Sequence, residues 1–180
     1  MQINSTKPYV CVIGGLNIDL QGSSQEPLIF NDSNPGEIEM SAGGVGRNIA
    51  ENMARISIHS KILSYAGDDA LGEFVINKTR AATVDTSLLK KHSTLPTSQY
   101  LSLLDDNNDM LVSISDMRII DEMTIQDIVN WNDALEQSSA IVIDTNIPVK
   151  VIEYVVDNFI HIPLFLDPVS FAKTSKILHI

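Results

Sequence analysis

A run of five apolar residues that ends in two glycines, Tyr9-Val-Cys-Val-Ile13-Gly14-Gly15, sets the architecture expected for this chain. The run is short and rich in β-formers, and the glycines end it abruptly, which is typical of a buried strand. Apolar runs of this kind then alternate with segments of helical period along the chain. Such alternation predicts a parallel sheet covered on both faces by helices, which is an α/β fold.

The later elements are predicted from the same kinds of signal. A capping residue, a proline or a preceding glycine cluster marks the start of a helix, and a short apolar run marks a strand. In chain order we predict a helix after the glycines at 43–46, a strand over Lys61–Ala66, a helix capped by Asp68 or Asp69 that extends to about Arg80, a helix capped by Thr124, a strand over Ala140–Ile143, a helix opened by Pro148 and a strand over Pro163–Leu166.

Two parts of the chain interrupt the alternation. Gln99–Leu104 and Met110–Ile114 flank the polar segment Asp105–Asp109, a pattern that indicates an antiparallel hairpin. Leu28–Met40 also departs from the alternation. We expect these pieces to pair into a small second sheet beside the main domain.

Composition and charge exclude several classes of function. The chain has 180 residues, of which 44% are hydrophobic and 19% are charged, an ordinary balance for one domain with a real core. Its formal net charge of −11 argues against a nucleic-acid partner, because phosphate binding needs clustered Lys and Arg. No long apolar run is present, so we expect no membrane span.

The cellular setting is inferred from the single cysteine and from the N-terminal segment. Cys11 lies inside the first apolar run, where we expect a buried structural thiol and not a catalytic one. Met1–Pro8 is polar and lacks the apolar core of a signal peptide. These features predict a reducing, cytoplasmic environment.

The segment Gly14–Asp19 is the first candidate for ligand binding. It follows the first strand, and ligands of open α/β sheets collect at the carboxyl ends of the strands. The carboxylate of Asp19 accepts hydroxyl hydrogen bonds, and the amide of Asn17 both donates and accepts, a combination that suits a polyhydroxylated sugar. The alternative is that Asp19 caps a turn.

The segment Ser41–Asn48 is the second candidate. Its glycines, among them Gly43 and Gly44, allow the backbone to approach a ligand closely, and the helix that follows adds oriented N–H groups. Asn48 lies at the helix start, and Arg47 offers a cationic side chain. The alternative is a tight loop with an arginine at the surface; the Lys-Ser/Thr ending of a Walker loop is absent.

Three motifs in order connect these candidates to a known family. They are Gly14–Asp19, then Gly43-Gly44-x-Gly46-x-Asn48, and then Ala66-Gly67-Asp68-Asp69-Ala70-x-Gly72. In this order and spacing the chain resembles the N-terminal half of the PfkB, or ribokinase, family. Further segments resemble the pseudouridine kinase branch of that family, namely Gly44–Asn52, Thr97–Tyr100, Asp144–Pro148 and Leu166–Ser170.

The resemblance implies a ribokinase-like three-layer α/β/α parallel-sheet domain with a small antiparallel β lid. Residues 1–180 would form the N-terminal part of that domain, with lid segments at about 27–41 and 97–116. In the family the lid closes over the substrate and often forms the dimer contact, so we expect a homodimer through the lid.

The resemblance also implies roles for individual residues. In relatives, the residues matching Asp19 and Asn48 hold sugar hydroxyls, and the Gly43-Gly44 loop lies against the sugar. Asn17 is expected nearby. Arg47 replaces a small residue of ribokinases and is expected close to the base or to a phosphate.

Four further substrate-binding candidates come from the same resemblance. Thr97, Ser98 and Tyr100 belong to the lid, although the sequence does not tell which of them point inward. Asn146 follows a strand at the ligand edge, as does its neighbour Asp144. For Asp144, positioning of Mg²⁺ or of a side chain and a simple capping role are both open, and we assign no residue as a metal ligand.

The implied activity is ATP-dependent phosphorylation of the 5-hydroxyl of a sugar or nucleoside, with pseudouridine first among the acceptors. Relatives take their catalytic base and anion hole from a Gly-Ala-Gly-Asp motif, and they bind ATP and Mg²⁺ mainly in their C-terminal half. No such motif occurs in these 180 residues. We therefore expect this chain to be the N-terminal portion of a longer kinase. By itself it would be inactive, since it would have no catalytic residue of its own. The alternative is a non-catalytic sugar- or nucleoside-binding module that oligomerises through its lid.

Overall fold

The computed structural model describes residues 7–178, so the start of the polar segment Met1–Pro8 lies outside the described residues. The strands are β1 (Tyr9–Ile13), β2 (Asn17–Ser24), β3 (Gly36–Gly43), β4 (His59–Leu63), β5 (Tyr65–Gly67), β6 (Lys90–His92), β7 (Gln99–Leu104), β8 (Met110–Asp116), β9 (Ala140–Asp144) and β10 (Leu164–Asp167). The helices are α1 (Val45–Arg55), α2 (Ala70–Ala81), α3 (Arg118–Asp121), α4 (Ile125–Asn130), α5 (Asn132–Glu136), α6 (Val149–Phe159) and α7 (Phe171–Thr174), followed by a 3₁₀ turn at Ser175–Ile177.

The main sheet has the order β10-β9-β1-β4, and all of its strands run parallel. Side chains of β1 alternate between its two faces. Cys11 and Ile13 pack in one core with α6 residues such as Val151, whereas Val12 packs in another core with Ala50 of α1. The sheet is therefore covered by helices on both faces, which confirms the predicted three-layer α/β/α architecture.

A second sheet of order β3-β2-β7-β8 lies at the carboxyl end of β1. β2 pairs antiparallel with β3 and parallel with β7, and β7 pairs antiparallel with β8. The predicted hairpin is confirmed. β2 was not predicted, since we expected a ligand loop at its start, and within 27–41 only the part from Gly36 onward is a strand.

Other elements depart from the prediction in their boundaries. Lys61–Ala66 is not one strand: β4 ends at Leu63, and β5 pairs with β6 in a separate two-stranded sheet. The carbonyl of Ser64, between β4 and β5, accepts a hydrogen bond from the N–H of Lys90 (3.0 Å), which draws the chain toward β6. The helix that follows Thr124 ends at Asn130 and is succeeded by the separate short helix α5.

Several local predictions are confirmed. Asp69 caps α2 by accepting from the N–H of Gly72 (2.7 Å), and Thr124 and Asp127 form a reciprocal capping box at the start of α4. Cys11 is a free, fully buried thiol, and burial raises its pKa to about 12. Among residues 7–178, no helix combines the length and the apolar character needed to cross a membrane.

Candidate functional site

A cavity of about 380 Å³ lies where the carboxyl ends of β1 and β9 meet the start of α1 and the second sheet. Six of the predicted site residues line it together. They are Asn17, Asp19, Gly44, Asn48, Tyr100 and Asn146. The carboxyl edge of a parallel sheet is where ligands bind in this kind of fold, so the cavity is the candidate binding site.

Asp19 provides the only carboxylate among the residues that line this cavity. Its Oδ1 accepts a hydrogen bond from the Asn17 amide (2.6 Å), and Asp19 lies inside β2, so it does not cap a turn. Burial raises the pKa of Asp19, while the hydrogen bond from Asn17 and the positive charge of Arg47 act in the opposite direction. The second oxygen, Oδ2, accepts no hydrogen bond within the described part of the chain and is available to a ligand hydroxyl.

The register of the second sheet brings two more side chains to the face that carries Asp19. Asp19 lies opposite Tyr100 of β7, and Tyr100 in turn lies opposite Ser115 of β8. Residues opposite each other in a sheet project from the same face. This row of three polar side chains therefore forms one wall of the cavity, which resolves the orientation of Tyr100 that the sequence left open.

The two glycines of the loop before α1 have different tasks. A Cβ at Gly43 would fall within the van der Waals radius of the Asp19 carboxylate, so the absence of a side chain there makes room for Asp19. Gly44 has φ +100°, in the left-handed region that glycine favours, and its Cα faces the carbonyl of Gly15. Only Gly44 lines the cavity, and Gly43 lies behind Asp19.

The fully buried carboxylate of Asp144 holds the floor of the cavity in place. Its Oδ2 accepts from the N–H groups of Gly15 and Gly46 (2.7 Å each), and its Oδ1 accepts from the N–H of Asn146 (2.8 Å). Burial raises the pKa of Asp144, and these N–H groups oppose the shift. Asp144 thus ties together the ends of β1 and β9 and the start of α1, and both of its oxygens accept hydrogen bonds from the backbone.

Arg47 does not reach the cavity, contrary to the expectation that it would meet a base or a phosphate. Its side chain is buried, and its guanidinium donates to the carbonyl of Ala42 (3.1 Å) and to Thr79 Oγ1 (3.3 Å) and pairs with the carboxylate of Glu51. It also donates to Oδ1 of Asn48 (3.0 Å). These contacts turn the guanidinium toward α2 and away from the ligand side of α1.

Thr97 and Ser98 also lie outside the cavity wall. The Thr97 hydroxyl donates to Asp69 Oδ1 (2.7 Å) and accepts from the N–H of Gly67 (2.9 Å), so it links the base of β7 to the start of α2. Ser98 is buried, and its carbonyl accepts from the N–H of Ile18 (2.9 Å). Within the described residues its hydroxyl has no hydrogen-bond partner.

Seven further residues line the cavity. Gly15 and Val45 lie in the two candidate segments and Ser115 lies in the predicted lid, although none of them was singled out. Four more were not predicted as binding residues, namely Met117, Ile120, Val169 and Lys173. The most notable is Lys173 in α7, whose ammonium group contacts Oδ1 of Asn146. A signal for Lys173 was present, because Ser170 caps a helical turn directly after β10, and that turn starts at the ligand edge of the sheet.

The side chains that could ligate a divalent cation are dispersed or already hydrogen-bonded in the described part of the chain. Within residues 7–178, no group of three or more His, Cys, Asp or Glu side chains is placed to hold a metal ion. The carboxylate of Asp144 is already occupied, and that of Asp167 accepts from the N–H of Val169 (2.8 Å). We therefore attribute no step of a reaction to a metal-binding residue of this part of the chain.

A cavity with carboxylate and amide groups at the carboxyl edge of a parallel sheet, walled by a second sheet, is the arrangement in which α/β proteins bind small polar ligands. The chain belongs to the pfkB family of carbohydrate kinases, whose sequence model matches residues 7–160.

Individual relatives agree with this assignment. The chain is 39% identical to the pseudouridine kinase of Escherichia coli strain K12 over 173 residues, covering 95% of this chain and 55% of that protein. It is 30% identical to the guanosine-inosine kinase of Exiguobacterium acetylicum over 164 residues, covering 87% and 52%. The crystal structure of a putative sugar kinase from Clostridium perfringens superposes with a TM-score of 0.88 at 31% identity, covering 97% and 55%. The chain thus spans about half the length of the curated relatives it matches.

Proposed function

We propose that this chain contributes the acceptor-binding side of a kinase that phosphorylates the 5-hydroxyl of a sugar or nucleoside, with pseudouridine as the first candidate. The observation that carries the proposal is the cavity itself, where Asp19 and Asn48 lie beside the glycine loop as the family resemblance implies. A carboxylate and an amide in one cavity suit a ligand with neighbouring hydroxyls, because each hydroxyl both donates and accepts.

Two features support a nucleoside over a bare pentose. The similarity to the Escherichia coli pseudouridine kinase extends over nearly the whole chain. The cavity also offers apolar and amide surface beyond the carboxylate, from Met117, Ile120 and Asn146, which suits the face and the polar edge of a base. The guanosine-inosine kinase relative makes purine nucleosides the main competitors.

We propose ATP as the phosphoryl donor, since kinases of this family use it, and Mg²⁺ as its companion ion. When bound, Mg-ATP supplies the phosphoryl group and the positive charge that stabilises its transfer. The described residues would hold and orient the acceptor, with Asp19 accepting a hydrogen bond from one ligand hydroxyl and Asn48 donating a hydrogen bond to another. We expect the 180 residues alone to bind the acceptor weakly or not at all, and not to turn it over. We also expect a reducing cytoplasm as the setting of the protein.

The test is a calorimetric titration of the 180-residue chain with pseudouridine, uridine, inosine and ribose, after circular dichroism has shown that it is folded. We expect pseudouridine to bind tightest. Asp19→Ala should weaken binding by about tenfold or more, since it removes a charged hydrogen-bond partner. Asp106→Ala, in the exposed turn between β7 and β8, is the matched control and should bind as wild type. Equal affinity of Asp19→Ala and wild type would contradict the assignment.

A homodimer through the second sheet is proposed from the face opposite Asp19. Strand alternation places Ile38, Leu101 and Ile114 on that face, and their exposed fractions are 80%, 40% and 65%. An exposed apolar face of this kind is typical of an interface, and a symmetric dimer would bury one copy against another. Sedimentation velocity should therefore show a dimer that Ile114→Lys converts to a monomer, whereas Ser113→Lys on the polar face leaves it intact.

The same face favours a second function, that of a non-catalytic nucleoside-binding module that assembles through this sheet. The two functions are separated by a phosphotransfer assay with Mg-ATP on the protein isolated from its native source. Formation of a nucleoside 5′-phosphate supports the kinase. Tight nucleoside binding without any product supports the module.

A further inference from the structure

We propose that Arg47 is a positioning residue, which fixes the Asn48 amide with its oxygen toward the protein and its NH₂ group toward the cavity. The inference rests on the proposed function, because it assigns the hydrogen-bonding polarity with which that site reads a ligand. Asn48 would act only as a donor and Asp19 only as an acceptor. The acceptor class that fits is a vicinal diol, with one hydroxyl at each side chain.

The guanidinium of Arg47 is held on several sides by groups that do not belong to the cavity. Its Nε donates to Thr79 Oγ1 (3.3 Å), and Thr79 itself donates to the carbonyl of Val75 (2.7 Å) inside α2. One Nη1–H donates to the carbonyl of Ala42 (3.1 Å) at the end of β3, and Nη2 pairs with Glu51 one turn along α1. A planar group with partners in three elements has little freedom to rotate.

This fixed guanidinium decides which end of the Asn48 amide faces it. Its Nη1 lies 3.0 Å from Oδ1 of Asn48. A guanidinium only donates hydrogen bonds, so an NH₂ group in that position would set donor against donor. The amide oxygen must therefore face Arg47. The NH₂ group makes no hydrogen bond within the described part of the chain, and Asn48 lines the cavity, so the free donors are offered to the ligand.

Asp19 offers a hydrogen-bond acceptor to the ligand, whereas Asn48 offers a donor. Its Oδ1 is engaged by the amide of Asn17 (2.6 Å), whereas Oδ2 has no partner among the described residues. The carboxylate therefore offers acceptor capacity only. A ligand hydroxyl beside Asp19 donates a hydrogen bond, and a hydroxyl beside Asn48 accepts one, so the pair distinguishes a diol from a single hydroxyl or an ether.

Arg47 also favours the ionised form of Asp19. Burial raises the pKa of Asp19, and both the hydrogen bond from Asn17 and the positive charge of Arg47 lower it. The other charged or titratable groups around this carboxylate are Lys173 and Tyr100 in the cavity wall, Glu51 behind Arg47, and Glu39 two pairs farther along β3. Removal of Arg47 should therefore raise the pKa of Asp19 further, a change that loss of packing by itself would not produce.

The first experiment is a double-mutant cycle on pseudouridine binding by calorimetry at pH 8. Arg47→Met and Asn48→Ala should each weaken binding by about tenfold, the scale of one hydrogen bond. The double variant should be no weaker than Asn48→Ala alone, because Arg47 acts through Asn48. Arg55→Met, which removes the exposed second partner of Glu51, is the control and should bind as wild type. If the two effects multiply instead, so that the double variant binds about a hundredfold more weakly than wild type, the proposal is overturned.

A second variant remains decisive if Arg47→Met does not fold. Asn48→Asp presents an oxygen to Arg47 but no donor to the ligand, so we expect a thermal midpoint at or above that of wild type and affinity reduced by about tenfold. Retained affinity in Asn48→Asp, or a lower midpoint, would mean that the amide is turned the other way.

A ligand-free measurement separates this inference from the proposed function. The carboxyl ¹³C resonance of Asp19, assigned from Asp19→Asn, is titrated in wild type, Arg47→Lys, Arg47→Met and Arg55→Met. We expect the titration midpoint of Asp19 to be higher in Arg47→Met than in wild type, intermediate in Arg47→Lys and unchanged in Arg55→Met. Identical midpoints in all four would refute the role of Arg47. If wild type binds neither the nucleosides nor ribose, the proposed function fails. The pH titration of Asp19 and the thermal unfolding midpoint of Asn48→Asp still decide the inference in that case, because neither measurement needs a ligand.

Discussion

The buried carboxylate of Asp144 offers the sharpest test of how the binding cavity is held together. It accepts three backbone N–H groups, two at Oδ2 and one at Oδ1. Asp144→Ala removes both oxygens and so leaves all three N–H groups without their acceptor. Asp144→Asn keeps one oxygen, which can serve Gly15 and Gly46, but it sets an NH₂ group against the N–H of Asn146. The two substitutions thus differ in the number of donors that they leave buried without a partner.

The magnitudes follow from that difference. An unsatisfied buried donor costs about 1–3 kcal/mol. One mismatched donor in Asp144→Asn should therefore lower the free energy of unfolding by about 1–2 kcal/mol. Asp144→Ala leaves three N–H groups without an acceptor, which costs more. Part of this loss is offset because the variant no longer buries a charge. We therefore expect Asp144→Ala to lower the free energy of unfolding by about 3–5 kcal/mol.

Urea unfolding measures these differences through the fluorescence of Trp131, the single tryptophan, which is only 4% exposed. Asp167→Asn is the matched control, since Asp167 lies opposite Asp144 in register on β10 and accepts one backbone N–H (2.8 Å). Asp167→Asn should lower the free energy of unfolding by about 1 kcal/mol or less. The reasoning is refuted if Asp144→Asn is as destabilising as Asp144→Ala, or if Asp144→Ala matches the control.

Three other predictions concern the site and its support. Gly43→Ala would drive a Cβ into the carboxylate of Asp19, so calorimetry should show about tenfold weaker acceptor binding, whereas Gly22→Ala, whose Cβ would have 3.9 Å of clearance, should bind as wild type. Acceptor binding should weaken as pH falls, beginning at a higher pH than for an exposed Asp, because the carboxylate form of Asp19 binds and burial raises its pKa; a flat affinity profile between pH 8 and 4 would contradict this. Thr97→Val removes the hydroxyl that bonds Asp69 (2.7 Å) and a backbone N–H of β5 (2.9 Å). We expect Thr97→Val to lower the free energy of unfolding, measured in urea, by about 1–3 kcal/mol. An unchanged urea midpoint would show that these two hydrogen bonds do not stabilise the fold.

The main sheet was predictable because its strands are buried on both faces and read as continuous apolar runs. β2 was not, since Asn17–Ser24 is polar, contains Gly22 and has no such run. It is a strand because β3 and β7 pair with it on both sides, and pairing partners distant in sequence override weak local preference. The same cause explains why the sequence located Asp19 at the ligand edge but described the segment around it as a loop.

Residue roles at the site were predictable as far as backbone position determines them. Asn17, Asp19, Asn48 and Asn146 reach the cavity because they follow strand ends or begin a helix at the ligand edge. The direction of a long side chain is a different matter. Arg47 follows the last glycine of the loop, yet its partners lie on α2, β3 and the next turn of α1. The pairing with Glu51 has the four-residue spacing of a helical ion pair and could have been inferred from the sequence, whereas the contacts with α2 and β3 join residues that no local pattern connects.

The two-faced second sheet also limits how the length of this chain can vary. Neighbouring residues such as Tyr100 and Leu101 belong to opposite faces, one toward the cavity and the other toward solvent. Insertion or deletion of one residue inside β2, β3, β7 or β8 would exchange those faces beyond the change, placing aliphatic side chains in the cavity and polar ones outside. Length changes should therefore be confined to the connections at 25–35 and 105–109, where the chain is not paired in the sheet. Sequences that share this sheet should align through its strands without gaps.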